Sequence, residues 1–79
     1  MKFHLQLLSN LDISQEAQII QINCTDELKQ RFYSFGLIKG TTIIVDEISL
    51  ARNTMAVNID GTEIALRIEE AEQIEVEAL

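Results

Sequence analysis

The segment spanning residues 28–45 constrains the fold most, because it joins a helical pattern, two glycines and the start of a β-branched run. Leu28, Phe32 and Phe35 lie at positions i, i+4 and i+7, so they share one face of a helix. Thr25 is a favourable N-cap residue for that helix. The pattern predicts a short helix that packs one apolar face against the rest of the chain.

Two glycines at the end of this helix predict how the chain leaves it. Gly36 stands where a helix ends with a residue in the left-handed region, a conformation that costs glycine little. Leu37 and Phe32 then occupy the two positions whose side chains touch in a Schellman ending. Gly40 predicts a second turn, after which a strand begins at Thr41. The junction therefore fixes the angle between a helix and a sheet.

The β-branched run over residues 41–50 predicts the longest strand of the chain. Its apolar residues at 43–45 predict burial on both faces there. Asp46 and Glu47 interrupt the apolar pattern, and they predict a bend or a β-bulge in a hairpin. Residues 51–54 are then the connection to the next strand.

The dipeptide Asp60-Gly61 gives the sharpest local prediction. It is the preferred sequence of a two-residue type I′ hairpin turn, and such a turn fixes the register of its two strands. The facing pairs that this register predicts are Ile59 with Thr62, Val57 with Ile64, and Met55 with Leu66. The hairpin over residues 55–68 should therefore hold its inner apolar pairs on one face.

The remaining segments complete a mainly β architecture. Residues 2–11 carry leucines three apart and predict one or two helical turns, whereas residues 16–23 and 74–78 predict strands. Residues 69–72 predict one acidic helical or 3₁₀ turn. About five short strands, one inserted helix and an N-terminal helical segment predict a small, partly open β-barrel, formed as a single domain by residues 1–79.

Composition and charge limit the partners of this domain. The 79 residues are 47% hydrophobic, which is typical of a globular chain, and the formal net charge is −7. That charge argues against a primary role on nucleic acid or on an anionic membrane, because both need a basic face. It fits a basic patch on a protein partner, although acidity that only keeps the protein soluble remains an equal alternative.

The cysteine count and the distribution of apolar residues indicate the compartment. The single cysteine, Cys24, cannot form an intramolecular disulfide, which favours a reducing environment. No apolar run approaches the ~20 residues of a membrane-spanning helix, so direct membrane insertion is not expected. The first ten residues lack the features of a signal peptide, and we expect a cytoplasmic, unprocessed protein.

Residue types that carry catalysis or bind metals are sparse. A dyad or metal site made of His4 and Cys24 has no supporting spacing, and a packed thiol beside a surface imidazole is the favoured alternative. Glu69, Glu70 and Glu72 are acidic enough to attract a hard cation, but a solvated acidic face is the favoured interpretation. We therefore expect neither an enzyme nor a bound cofactor.

Two arginines lie inside regular elements, and each allows a structural or an interface role. For Arg31 the structural role is favoured, as an ion pair on its own helix with Asp26 or, at the better spacing, Glu27. Arg67 alternates away from its apolar neighbours and should face outward, where a structural role and an anchor for an acidic partner are equally open. Tyr33 lies off the apolar stripe and is an interface candidate.

Three stretches of the chain resemble the FeoA family, ferrous iron transport protein A, and the resemblance covers nearly the whole chain. The stretches are Arg31-Phe32-x-x-Phe35-Gly36-Leu37-x-x-Gly40-Thr41, then Ile64-Ala65-Leu66-Arg67, then Ala71-x-x-Ile74-x-Val76. The chain departs from the family pattern at Lys39, where proline is usual, and at Gln15-Glu16, where a glycine is usual. It also departs at residues 50–54, where the family usually has Leu-Gly-x-Pro.

The resemblance implies an SH3-like barrel and an accessory role for FeoB, the membrane ferrous iron transporter with a cytosolic GTPase domain. Docking would use the helix–turn face with Tyr33 and Ile38, and the rim loop with Leu50 and Arg52, with Arg67 as a further candidate. Two alternatives remain open: an SH3-like regulatory module in metal-dependent transcriptional control, and a weak ferrous iron carrier. A homodimer is also open, because the barrel would expose a strand edge.

Overall fold

We analysed a computed structural model that describes residues 5–79. The elements in chain order are β1 (Leu5–Leu7), a 3₁₀ helix (Leu8–Asn10), β2 (Glu16–Ile22), α1 (Asp26–Ser34), β3 (Thr42–Ser49), β4 (Thr54–Ile59), β5 (Thr62–Arg67), α2 (Ile68–Ala71) and β6 (Ile74–Ala78). The six strands form one antiparallel sheet in the order β1-β6-β2-β3-β4-β5. The predicted mainly β, partly open architecture is confirmed, with six strands among the described residues instead of about five.

The prediction of an N-terminal helical segment is wrong. Leu5 to Leu7 form the short strand β1, which pairs with β6 and places Leu5 opposite Glu77. Only the following three residues turn, and Leu8 and Leu11, the ends of that turn, are both fully buried. The leucine spacing thus reflected a single 3₁₀ turn, while the edge of β6 provided a distant pairing partner for the preceding residues.

Strand β2 contains a β-bulge that explains its irregular apolar pattern. The pairing with β6 shifts register between Ile19 and Gln21, which leaves Ile20 as the extra residue. Ala17 and Ile19 face the core before the bulge, and Ile22 faces it afterwards. The bulge therefore lets one strand keep its apolar residues inward while bending around the sheet.

Strand β3 has the predicted bulge, but only one of its faces is buried. The pairing with β4 shifts between Val45 and Glu47, so Asp46 is the extra residue. Ile43 and Val45 are fully buried, whereas Ile44 is 37% exposed, so the prediction of burial on both faces is wrong. No layer of the described structure covers the outer face of this strand, and the apolar run there does not mark a second core.

The β4–β5 hairpin has the register that its turn predicted. Ile59 pairs with Thr62, and the ladder continues to Thr54 with Arg67. Asp60 and Gly61 both have positive φ values, 51° and 87°, as a type I′ turn requires. The Asn58 side chain accepts a 2.9 Å hydrogen bond from the Gly61 N–H and further fixes the turn.

Helix α1 begins and ends as its sequence indicates, but its apolar face is narrower than expected. Thr25 Oγ1 accepts a 3.3 Å hydrogen bond from the Leu28 N–H at the N-terminus. At the other end, the Leu37 N–H bonds the Phe32 carbonyl at 2.9 Å, which is the long hydrogen bond of a Schellman ending. Phe32 is fully buried, whereas Phe35, the C-cap residue, is 41% exposed.

Candidate functional site

Two surface grooves contain one predicted docking residue each, Tyr33 in the first and Arg52 in the second. The helix groove lies between α1 and β2, has a volume of about 200 Å³, and is lined by Ile20, Gln21, Ile22, Lys29, Tyr33 and Lys39. The hairpin groove lies across β3, β4 and β5 and has a volume of about 370 Å³; its lining includes Glu47, Ser49, Arg52, Ala56, Glu63 and Ala65. Each groove lies beside a β-bulge, at Ile20 or at Asp46.

The helix groove has walls that are fixed by the backbone. Lys29 and Tyr33 are four residues apart on α1 and therefore share a face. The loop that carries Lys39 is tied to β2, because the Gly40 N–H bonds the Ile19 carbonyl at 2.7 Å. A second hydrogen bond, from the Ile19 N–H to the Thr41 carbonyl at 2.8 Å, holds the same loop on its other side. The two lysines thus stand on anchored segments.

The helix groove is positively charged, although the whole chain is acidic. Its charged lining side chains are Lys29 and Lys39, and no carboxylate lines it. Within residues 5–79, the ion pairs of the structure are Arg31 with Glu70 and Arg67 with Glu69, so neither lysine has an ion-pair partner there. A carboxylate that entered the groove would therefore meet two uncompensated ammonium groups.

An ion pair that the sequence did not predict holds α1 against α2. The Arg31 guanidinium lies 3.0 Å from Glu70 Oε2, so the expected pair with Asp26 or Glu27 is wrong. The Glu70 side chain is 11% exposed, and its Oε1 accepts a 3.0 Å hydrogen bond from the Arg67 N–H. Charge-assisted bonds to one buried carboxylate thus link the helix to the last turn before β6.

The hairpin groove has a mixed charge and a floor of small side chains. Glu47, Ala56 and Ala65 face each other across β3, β4 and β5, so the two alanines leave the floor open. Arg52 lines this groove together with Glu47 and Glu63. Arg52 also donates its backbone N–H to Ser49 Oγ at 3.4 Å, which holds the loop over the strand. The two carboxylates therefore outnumber the one guanidinium, and the lining of the hairpin groove carries an excess of negative charge.

The structure separates the predicted docking residues into three places. Tyr33 and Ile38 lie at the helix–turn end, where they are 51% and 44% exposed. Leu50 and Arg52 lie on the rim loop of the hairpin groove, and Leu50 is the most exposed large apolar side chain of the described residues at 86%. Arg67 lines neither groove, although it pairs with Thr54 at the edge of the hairpin groove, and it is 3.6 Å from Glu69, each side chain being largely in solvent.

Sequence reasoning missed Lys29 and Lys39 as members of a site. The spacing of Lys29 and Tyr33 at i and i+4 was available, but only the backbone bulge at Ile20 opens the floor beneath them. Lys39 was noted only as a replacement for a usual proline. A loop lysine has no periodic pattern that would place its side chain against a helix.

The single cysteine lies at the start of α1 and is not activated. Its Sγ donates to the Thr25 carbonyl at 3.3 Å. Burial raises the pKa of the Cys24 thiol above its ordinary value, while nearby Lys29 lowers this pKa and Asp26 raises it by smaller amounts. The thiol is therefore protonated at neutral pH. The proposed partner in a dyad, His4, lies outside the described residues.

Metal ligands and membrane-spanning segments were sought in the same residues. Across residues 5–79, no three His, Cys, Asp or Glu side chains are grouped so that they would hold a metal ion. Neither helix of that part of the chain has the length and apolar character needed to cross a bilayer.

Comparison with known proteins identifies relatives over almost the entire chain. The family model described as the FeoA domain matches residues 6–78. A protein of Campylobacter jejuni named "Putative Fe(2+) transport protein A" is 39% identical over 69 residues, which cover 87% of this chain and 93% of the relative. The shared region therefore spans most of the length of both proteins.

Solved structures with the same architecture fall into two groups. One is the crystal structure of an iron uptake regulatory protein (FeoA), with a TM-score of 0.87 and 24% identity over 96% of this chain and 100% of that one. The other is a manganese-dependent transcriptional repressor, with a TM-score of 0.90 and 18% identity over 100% of this chain and 44% of that one. At these identities the likeness establishes the SH3-like fold, which spans the whole of the first solved chain and less than half of the second.

Proposed function

The chain belongs to the FeoA family, and from that premise we propose that it is a small accessory protein of ferrous iron transport that acts through protein–protein contacts. The family match over residues 6–78 carries this proposal, together with relatives named for Fe(2+) transport. The helix groove and the exposed helix–turn end supply a surface for such contacts. A binding role needs no catalytic or metal-binding residue of its own.

The partner in this proposal is the cytosolic GTPase region of the FeoB transporter, so the protein would work in the cytoplasm. Docking would use the helix–turn end, where Tyr33 and Ile38 expose apolar surface beside the two lysines. Aromatic and aliphatic groups of this kind are typical anchors of an interface. To regulate transport, the chain must bind one nucleotide state of the GTPase more tightly than the other, because equal affinity shifts no equilibrium.

An amide-shift titration tests this partner directly. The isotope-labelled chain is titrated with the cytosolic domain of the transporter, once with GDP and once with a GTP analogue. We expect shifts around Tyr33 and Ile38 that depend on the nucleotide. Shifts that are the same in both states would indicate a scaffold, and the absence of any shift would overturn the proposed partner.

GTP turnover by the same domain tests whether docking has a regulatory effect. Turnover is measured with and without the chain, and with Arg52→Ala in parallel, because Arg52 is on an exposed loop and has the chemistry of an arginine finger. A rate increase that Arg52→Ala abolishes would assign that role to Arg52. An unchanged rate for the unmodified chain would exclude both stimulation and a finger.

A second candidate function is a module of metal-dependent transcriptional control. The observation in its favour is the TM-score of 0.90 to the manganese-dependent repressor, in which the matching domain is 44% of the chain. In such a role the chain would bind a repressor subunit instead of a transporter. Binding measured separately to the transporter domain and to the repressor subunit discriminates the two functions. Sedimentation of the chain alone would show whether it forms the homodimer that the sequence leaves as an alternative.

A further inference from the structure

We propose that the helix groove is a receptor for an acidic segment of the protein partner, in which a carboxylate side chain enters between Lys29 and Lys39 and a neighbouring apolar residue packs on Tyr33 and Ile38. This inference rests on the proposed accessory function and adds the chemistry of what is bound. Its charged residues, Lys29 and Lys39, are ones that neither the sequence pattern nor the family comparison singled out as a site.

Charge complementarity is the first argument for an acidic occupant. The chain has 13 acidic and 6 basic residues, yet the charged lining of the helix groove is two lysines. The other basic side chains of the described residues have acidic neighbours: Arg31 and Arg67 form ion pairs, and Arg52 shares its groove with two glutamates. The helix groove is therefore a positive site on an acidic surface, and it would select partners by the sign of their charge.

The second argument is that the groove is held ready before binding. Lys29 stands on a helix whose N-cap and Schellman ending are both formed. Lys39 stands in a loop held by the hydrogen bond between the Gly40 N–H and the Ile19 carbonyl. A site on anchored segments loses little backbone entropy on binding, so more of each charge–charge contact contributes to affinity.

The third argument is the mixed chemistry of the groove and its rim. Ile20, Ile22 and the Tyr33 ring supply apolar surface next to the lysines, and Ile38 precedes Lys39 at the open end. A free phosphate or a nucleic acid would use the lysines and leave this apolar surface uncovered. A peptide with an acidic residue beside an apolar one uses both parts.

A pair of charge-matched variants tests the proposal. Lys29→Gln/Lys39→Gln removes two positive charges from the groove, and Asn10→Asp/Thr62→Glu adds two negative charges at exposed sites that line neither groove. Both variants therefore have the same net charge, and any difference between them reports the groove itself. Binding of each to the cytosolic domain of the transporter is measured by calorimetry, after circular dichroism has shown that both fold.

We expect the lysine variant to bind at least about ten-fold more weakly, because removing one partner of an interface charge pair speeds dissociation. The affinity of the control should stay within about two-fold of that of the unmodified chain. A short peptide with a glutamate beside a leucine should displace the partner from the unmodified chain more effectively than inorganic phosphate at equal charge. Higher salt should weaken partner binding by the unmodified chain more than partner binding by the lysine variant.

Three outcomes would contradict the proposal in different ways. If the unmodified chain binds and both double variants bind equally well, the acidic-segment inference is wrong while the accessory function stands. If the unmodified chain does not bind the transporter domain, the accessory function and this inference both fall. If the lysine variant changes only the self-association of the chain, the occupant is a second copy and the inference is overturned.

Discussion

The two grooves are built by the same device and have opposite electrostatic character. Each opens beside an extra residue in a strand, Ile20 in β2 or Asp46 in β3. The hairpin groove comes from one continuous stretch of chain, whereas the helix groove brings β2 together with α1 and the loop that follows α1. A bulge thus adjoins both grooves, and the neighbouring elements decide which partner charge each groove accepts.

The grooves also differ in what holds them. The hairpin groove depends on a local turn and its register, set by Asp60-Gly61. The helix groove depends on contacts far apart in sequence, above all buried Phe32 and the ion pair of Arg31 with Glu70. Substitutions in these supports should therefore disturb one groove and leave the other intact.

The largest effect is expected from Glu70→Ala. This change removes the ion pair to Arg31 and the acceptor of the Arg67 N–H, so it should lower the free energy of unfolding by about 2–4 kcal/mol. Urea denaturation measures the loss, and amide shifts should concentrate in α1 and the helix groove. The control Glu69→Ala, at an exposed pair, should cost less than about 0.5 kcal/mol. Equal losses of unfolding free energy in Glu70→Ala and Glu69→Ala would contradict a stabilising role of the Arg31–Glu70 ion pair.

The second-largest loss of stability is expected from Gly36→Ala. Gly36 has φ +88°, and a Cβ there would make only ordinary contact with Ile59, 3.8 Å away. Backbone strain alone should therefore destabilise the fold by about 1–2 kcal/mol and displace the loop that carries Lys39. Gly61→Ala, at φ +87° with open space around it, is the matched variant for the hairpin. If Gly36→Ala shifts only the amide signals of the hairpin, the helix groove does not depend on the turn at Gly36.

A smaller loss is expected from removing the helix cap. Thr25→Ala deprives the Leu28 N–H of its acceptor and should cost about 1 kcal/mol. Thermal unfolding measures the loss, and Thr25→Ser, which keeps the hydroxyl, should recover most of it. Fraying should appear as faster amide exchange in the first turn of α1, near Lys29, with no change in the hairpin.

The smallest effect concerns the Cys24 thiol, which reports the charge of the helix groove. Because Lys29 lowers the pKa of Cys24, Lys29→Gln should raise that pKa further and slow alkylation by iodoacetamide at a fixed alkaline pH. Lys39→Gln, whose charge is not among those that affect Cys24, should leave the rate nearly unchanged. A faster reaction in Lys29→Gln would contradict the placement of Lys29 beside the thiol.

The raised pKa also predicts how stability depends on pH. The folded state holds the Cys24 proton more tightly than the unfolded chain, so this stabilisation is complete below the ordinary thiol pKa. It is lost as the pH rises through the folded pKa. Cys24→Ser should therefore remove a small alkaline decline in the free energy of unfolding.

Much of the fold could be predicted where the determining residues are neighbours in sequence. The Asp60-Gly61 register and the bulge at Asp46 depend on local chemistry, and both are present. Pairing between distant segments could not be predicted in this way. Strand β1 exists because β6 offers an edge, and Arg31 bonds Glu70 in preference to an acid on its own helix.

In the candidate site, too, only the features set by neighbouring residues could be predicted. Exposure of Tyr33 and Ile38 was predictable, because Tyr33 lies off the helical stripe and Ile38 lies between two turns. The groove beside them was not predictable, since it needs the β2 bulge under the helix and the loop lysine at its end. A sequence pattern indicates which side of one element faces solvent, but not which elements meet.

The position of β6 between β1 and β2 has a consequence for how this protein is made. Strand β1 pairs only with β6 in the described sheet, so the first strand to leave the ribosome has no partner until the last one has been synthesised. The nascent chain must therefore keep Leu5 and Leu7 out of wrong contacts until the rest of the sheet has been synthesised. Folding that waits for such a distant partner is slow, and this domain is expected to complete its sheet only once residue 78 has emerged.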